Sequence, residues 1–266
     1  MFAVRSLGLV VLACCLVVPA LTQEQDDAVA GPFKAKGRYV VMPPKLEPDF
    51  VLKPQSASLQ SWNGSFTSGG TNYTYNMVGT APSTGTSTTV TTYIVPIKIV
   101  ISSRRTKTTY DPAHVLSNGK TVIANTVASP IFDATTTYTQ GGVDVGTTQY
   151  IDAFQRANFW GTAQSQPNYH LLLGGPTVLA EQTLSPSSSY GRNGSPFGFT
   201  AGLVDINWFD SQLPGIISKF SQIQPNTLVI FLTYDVYLTQ SGSCCVGGYH
   251  SSEGSVSNPQ SYAQFS

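Results

Sequence analysis

From Asn226 the chain reads NTLVIFLTYDVYLTQSGSCCVGGYH, and its apolar pattern is the strongest along the sequence. Leu228, Val229, Ile230, Phe231 and Leu232 follow one another without a polar break, which predicts a strand covered on both faces at the centre of a sheet. Beyond them Tyr234, Val236 and Leu238 alternate with Asp235, Tyr237 and Thr239, so the strand is expected to run on with one face toward solvent or a cleft. Gly242, Gly247 and Gly248 then predict a loose turn carrying Cys244, Cys245 and His250. A second strong strand is predicted over Tyr93–Ile101. Pro96 costs it a ladder hydrogen bond and places it at an edge or a bulge. Phe66 and the alternating Tyr73, Tyr75 and Met77, with Asn63-Gly64 and Gly69-Gly70 between short runs, predict hairpins. Tyr169 to Leu173 reads as a short strand that begins at His170.

The clearest helical period lies between Thr147 and Trp160. Thr147 or Thr148 is positioned to cap it, and Gly161 to end it. Tyr150, Ile151, Phe154 and Ala157 share one side, the expected core stripe, while Gln149, Asp152, Gln155 and Arg156 fall mainly on the other faces. Leu203 to Trp208 alternates as a half-buried strand. A short amphipathic helix through Ile216, Ile217 and Phe220 follows, capped by Asp210 or Ser211, with Pro214 in its first turn. Asp205 and Asp210 are read as a strand polar face and a helix cap rather than a catalytic pair. No repeat of 20 to 50 residues is present, which excludes a solenoid or propeller. The elements predict a strand-dominated α+β fold, a mixed central sheet with two or three short helices.

The 266 residues suffice for one large domain, and 41% hydrophobic residues supply its core. Fourteen basic residues balance fourteen acidic ones, with no basic stripe beyond the short cluster of Arg104, Arg105 and Lys107, so nucleic acid is not an expected partner. Arg5, the apolar run Leu7–Val18 and the compact Val18-Pro19-Ala20 predict an export signal cleaved after Ala20, hence a secreted protein. The alternative is a lipid anchor on Cys14 within Val11-Leu12-Ala13-Cys14. The run is shorter than the roughly 20 residues of a membrane span, and none elsewhere reaches that length. Residues 21–60 hold Pro32, Pro43, Pro44, Pro48 and Pro54 and are expected to be an extended wrapping segment without regular pairing. Residues 61–266 form the single β-rich domain.

Candidate chemistry is sparse. The nucleophile elbow, the phosphate loop, the dinucleotide fingerprint and the H-E-x-x-H helix are all missing from the sequence. After signal removal only Cys244 and Cys245 remain, in an oxidising compartment, where they either bridge each other as neighbours, bind something, or pair with cysteines that this chain does not carry. Cys244, Cys245 and His250 are metal-ligand types, although adjacent cysteines are a poor match to the usual zinc spacing. His114, beside the Asp111-Pro112 turn, and His170, at a strand edge, are read as structural. Asn63-Gly64-Ser65, Asn72-Tyr73-Thr74 and Asn193-Gly194-Ser195 match the N-glycosylation pattern.

The stretch VIFLTYDVYLTQSGSCCVGGYHSS resembles the corresponding segment of the exordium-like (phosphate-induced) secreted family and of related exported bacterial proteins, and TQYIDAFQRANFW and TYIVPIKIVI are similar to those bacterial relatives. The resemblance spans about residues 60–266. In that wider group a histidine-glutamate helix like that of zinc peptidases follows the Cys/His segment. This sequence stops at Ser266 before any such helix, so the resemblance implies a truncated product with no catalytic residues to carry over. His250 matches the family's histidine by position and is the candidate metal ligand; zinc belongs to a full-length form and no cofactor to this chain. Two functions are therefore expected: the N-terminal part of a metal-dependent peptide hydrolase, catalytically incomplete, or a non-enzymatic extracellular module whose aromatic hairpin residues bind glycan or protein.

Overall fold

A computed structural model describes residues 38–42, 45–47, 58–255 and 258–266. The export signal, Cys14 and most of the proline-rich segment lie outside them. The described chain begins with β1 (Arg38–Val41) and β2 (Lys45–Glu47), then a hairpin of β3 (Ser61–Ser68) and β4 (Thr71–Val78). Next come β5 (Thr88–Ser102), the longest element, and β6 (Lys107–Tyr110). Helix α1 (Val122–Val127) leads into a second hairpin, β7 (Thr136–Gln140) and β8 (Val143–Thr148), and then into α2 (Tyr150–Asn158) and α3 (Trp160–Ala163). Short strands β9 (Leu171–Leu173), β10 (Thr177–Val178) and β11 (Gln182–Leu184) precede β12 (Gly191–Gly194), β13 (Ala201–Asp205) and α4 (Ile206–Ile217). Strands β14 (Thr227–Leu232), β15 (Val236–Gln240), β16 (Ser243–Ser255) and β17 (Asn258–Phe265) complete the set. The fold is α+β and strand-dominated.

Thirteen of the described strands form one mixed sheet with the path β10-β5-β14-β17-β16-β15-β13-β12. Parallel pairing of β14 with both β5 and β17 buries Val229, Phe231 and Leu232 completely, as the unbroken apolar run predicts. The sheet curls until its ends nearly meet. Tyr110, on β6, donates its hydroxyl to Asn193 Oδ1 at 3.0 Å, and Asn193 Nδ2 donates to Thr108 Oγ1 at 2.8 Å, tying β12 to β6. Asn193 is thus committed to closing the sheet, and a glycan there would break the closure. Inside the curl Val95, Ile97, Ile99 and Ile101 of β5 meet Phe209, Leu213 and Ile216 of α4, while alternate β5 residues Val90 and Ile94 face a second cluster with Leu171, Leu173 and Phe132.

Several elements depart from the sequence pattern. Leu228–Leu232 and Val236–Leu238 are not one strand. The chain leaves β14, passes the end of β17, where Thr233 N–H donates to Phe265 O and Val236 N–H to Ser266 Oγ, and re-enters the sheet as β15, with β17 and β16 between. Asp235, at φ 49°, makes that step in the left-handed region that Asp tolerates better than most residues. The expected glycine-rich turn is instead the long strand β16. Pro96 lies inside a central strand, level with the break in the neighbouring chain between β10 and β11, not at a sheet edge. Parts of the proline-rich segment do pair: β1 and β2 run parallel to β16.

Helix α2 inverts the expected faces. Tyr150 and Phe154 are 55% and 59% exposed, while Gln149, Asp152, Gln155 and Arg156 are buried. The reason is β9, which pairs with β5 on one side only and would otherwise leave the other edge unsatisfied. Gln149 accepts from Leu173 N–H at 2.7 Å and donates to Leu173 O at 2.9 Å. Asp152 accepts from Leu171 N–H at 2.7 Å, and Arg156 donates to Tyr169 O at 2.6 Å. The polar face of the helix therefore stands in for a missing strand. Asp152→Ala, which strands a buried N–H, is expected to cost about 3 kcal/mol, whereas Phe154→Ser should stay within about 0.5 kcal/mol; urea denaturation of both variants checks the ranking.

Candidate functional site

Cys244 and Cys245 lie at the start of β16, are joined by a cis peptide bond and are bonded to each other through their sulfurs. They occupy a bulge: between the pairs Gln240↔Ser243 and Leu238↔Val246 the strand β15 advances two residues while β16 advances three. A second irregularity follows, since Arg38 pairs with Val246 but Tyr39 pairs with Gly248, leaving Gly247 extra. These two offsets set which side chains downstream face inward. Tyr249, Ser251 and Glu253 point toward the interior and His250 points out. His250 borders a cleft of about 380 Å3 with Met42, Leu228, Ser252 and Ser261, so the structure brings His250 and the apolar strand β14 to one concavity, without the cysteines.

Around His250 the cleft offers hydroxyls and apolar groups. Among the described residues, no three or more His, Cys, Asp or Glu side chains gather where they could hold a metal ion. The residues present do not make up a zinc donor set.

Inward of β16 stands a buried acid that sequence reasoning misassigned. Asp205, not Asp210, caps α4, accepting from Trp208 N–H at 2.9 Å. Asp210 sits within the helix, 2% exposed, and its Oδ1 accepts from the hydroxyls of Tyr249 at 2.9 Å and Tyr262 at 2.7 Å. Burial, reinforced by the Asp210 charge, pushes both phenols well above their ordinary range, so they remain donors. Lys45 Nζ reaches Asp210 Oδ2 at 2.5 Å. Pro214 falls inside α4 rather than in its first turn.

The other two histidines acquire partners. His170 Nδ1 lies 2.8 Å from Asp152 Oδ2, which also accepts from the Thr148 hydroxyl at 2.8 Å. Asp152 Oδ2 can only accept, so His170 Nδ1 is the donor of this pair. His114 is exposed and stacks on Tyr234 at 5.0 Å between ring centres. Neighbouring Asp235 has its carboxyl pushed up by burial, against the opposing effects of the Tyr234 hydroxyl and of His114.

A further exposed surface is aromatic. On the β3–β4 hairpin Trp62, Gly64 and Phe66 pair across with Met77, Tyr75 and Tyr73, and the other face carries Asn63, Ser65, Thr74 and Asn76. The Tyr75 ring lies across Gly64, where an added Cβ would fall 2.3 Å from it and displace the ring. Trp62 and Tyr75 pack edge-on, and both meet Phe159 at the end of α2, at 5.1 and 5.8 Å, fastening the hairpin to the body. Phe66 and Tyr73 then stack on each other 5.2 Å apart and remain 55% and 47% exposed. An open concavity of about 580 Å3 on the hairpin is lined by Asn63, Gly64, Ser65, Thr74, Tyr75 and Asn76. The sequence flagged these aromatics by their period of two; their exposure was not readable from it.

No protein-family model, curated protein or solved structure matches the chain. The fold and surface define a strand-rich α+β domain that presents an aromatic hairpin.

A carboxyl raised by burial stabilises the fold below its unfolded-state pKa and loses that contribution as pH rises through the folded value. Asp235→Asn is therefore expected to be more stable relative to the parent at pH 7 than at pH 4, with Asn well suited to the left-handed backbone; chemical denaturation across that range measures it.

Proposed function

We propose that this protein is a non-enzymatic extracellular binding module whose ligand is a glycan held on the β3–β4 hairpin. One observation carries the reading: two large rings, Phe66 and Tyr73, are stacked on one face of the hairpin and left in solvent. A pyranose has an apolar C–H face ringed by hydroxyls. That apolar face needs an aromatic plate to lie on. Anchoring through Trp62, Tyr75 and Phe159 supports the same view, because a two-stranded hairpin alone is marginal in water and this one is held in place before any ligand arrives. The export signal expected at the N-terminus would put the surface where glycans are.

Titration against soluble xylan, mannan, β-glucan and chitin oligomers is expected to find at least one ligand. The Phe66→Ala/Tyr73→Ala double variant should weaken binding about tenfold or more, roughly the worth of two stacking contacts, with an unchanged melting temperature. Failure of every glycan, or binding indifferent to the double substitution, would refute the reading.

A second reading, the catalytically incomplete N-terminal part of a zinc-peptidase-like protein, is favoured by His250, which stands exposed at the cleft shared with Leu228, Ser252 and Ser261. In this reading the chain is scaffold and cleft wall. Metal analysis of the purified protein separates the two: absence of stoichiometric zinc is expected, whereas zinc lost on His250→Ala would favour the peptidase lineage.

A further inference from the structure

We infer that the outer edge of β16, together with Asp210, is a peptide-binding groove for an extended segment carrying a long apolar side chain and, three residues on, a lysine, and that residues 38–42 and 45–47 of this chain occupy it. The occupant itself shows what the groove accepts. β1 and β2 add to β16 in parallel, pairing Val41 with His250 and Lys45 with Glu253, and between them Met42 N–H donates to His250 O at 3.1 Å. Main-chain pairing of this kind gives affinity with little regard to sequence, and side-chain pockets give selectivity. Met42 fills the first pocket, 7% exposed and packed into the inner core cluster.

The second pocket is built for an ammonium. Pro214 has no N–H, so the carbonyl of Asp210 four residues earlier loses its helical partner. Lys45 Nζ supplies one, donating to Asp210 O at 2.7 Å while its charge meets Oδ2 of the same residue. The other carboxylate oxygen is taken by Tyr249 and Tyr262, and the Tyr262 ring lies 6.0 Å from the Lys45 nitrogen. Glu253, on the strand that pairs with Lys45, adds a second negative group; burial pushes its carboxyl up and the Lys45 charge opposes that shift. One helix residue thus presents a free carbonyl and a carboxylate to one cation, a combination that an interior proline makes possible. Arginine's fork would need more space, and a neutral side chain would leave the acid unpaired.

A segment tethered in cis competes at millimolar effective concentration, so a free peptide should reach the groove only when the tethered copy is weakened. The test uses the full chain with Met42→Gly/Lys45→Ala and a fluorescent peptide of residues 38–47, RYVVMPPKLE, followed by anisotropy. The variant should bind the peptide about tenfold or more tighter than the parent protein. A peptide with methionine in place of its lysine should lose at least tenfold, in keeping with a charge-assisted contact. Equal binding by both proteins, or indifference to the peptide lysine, overturns the inference. Should the variant fail to fold, hydrogen exchange of the parent decides: strap amides 39–42 and 45–47 exchanging well before those of β14 supports an exchangeable occupant, and exchange of both only with global unfolding overturns it. Binding of a second copy's strap would appear as a dimer that the peptide dissociates, which also supports the groove.

Discussion

Asp210 is the constraint on which the inner architecture turns. A carboxylate at 2% exposure is tolerated only if its oxygens are filled, and the fillers come from three separate parts of the chain: Tyr249 on β16, Tyr262 on β17 and Lys45 on β2. Each of those residues must then point inward, and that fixes the phase of its strand. The demand propagates along β16. Val246 and Tyr249, an odd number of residues apart, both face the core because Gly247 is taken up as an extra residue between them. The irregularity at Gly247 is thus what lets Tyr249 reach the buried acid.

The same logic explains the polar side chains on the inward face of α2 and the single one, Asp210, among the buried residues of α4. In α2 they substitute for a strand that β9 lacks; in α4 Asp210 anchors strands that would otherwise meet only through apolar packing. Gln264 and Gln260 on β17 extend the pattern, donating to Thr233 Oγ1 and Thr227 O at 2.9 Å each. A sheet assembled from short strands has more unpaired backbone at its margins than long strands would leave, and side-chain amides and carboxylates are what cover it.

This also separates what the sequence disclosed from what it hid. The central position of Leu228–Leu232 followed from an apolar run that only a doubly covered strand explains, and the hairpin at 61–78 followed from alternation plus Gly69-Gly70. The faces of α2 did not follow, because periodicity assumes that apolar side chains are the ones that go inside. That assumption fails where a neighbouring edge needs hydrogen bonds more than contact area. Asp210 was hidden for a related reason: a helix-cap residue type next to a proline mimics a helix start, and the actual start at Asp205 lay one turn earlier, inside an apparent strand alternation. The sequence put Cys244, Cys245 and His250 together on one turn; their separation, with His250 at a cleft that the cysteines do not line, depends on bulges that only long-range pairing reveals.

Spending polar residues inside leaves aromatic ones outside. Tyr150 and Phe154 on α2, and Phe66 and Tyr73 on the hairpin, are exposed while the core takes glutamines and aspartates. The two groups differ in what they can do. Tyr150 and Phe154 are the outward by-product of the edge-capping role of α2, and their exposure needs no ligand to explain it. Phe66 and Tyr73 face no such demand: β3 and β4 pair with each other and carry Asn, Ser and Thr on their second face, so nothing in the interior forces these rings outward. Exposure without a structural cause, at a site fastened by Trp62, Tyr75 and Phe159, is why the proposed binding is assigned to the hairpin rather than to the helix.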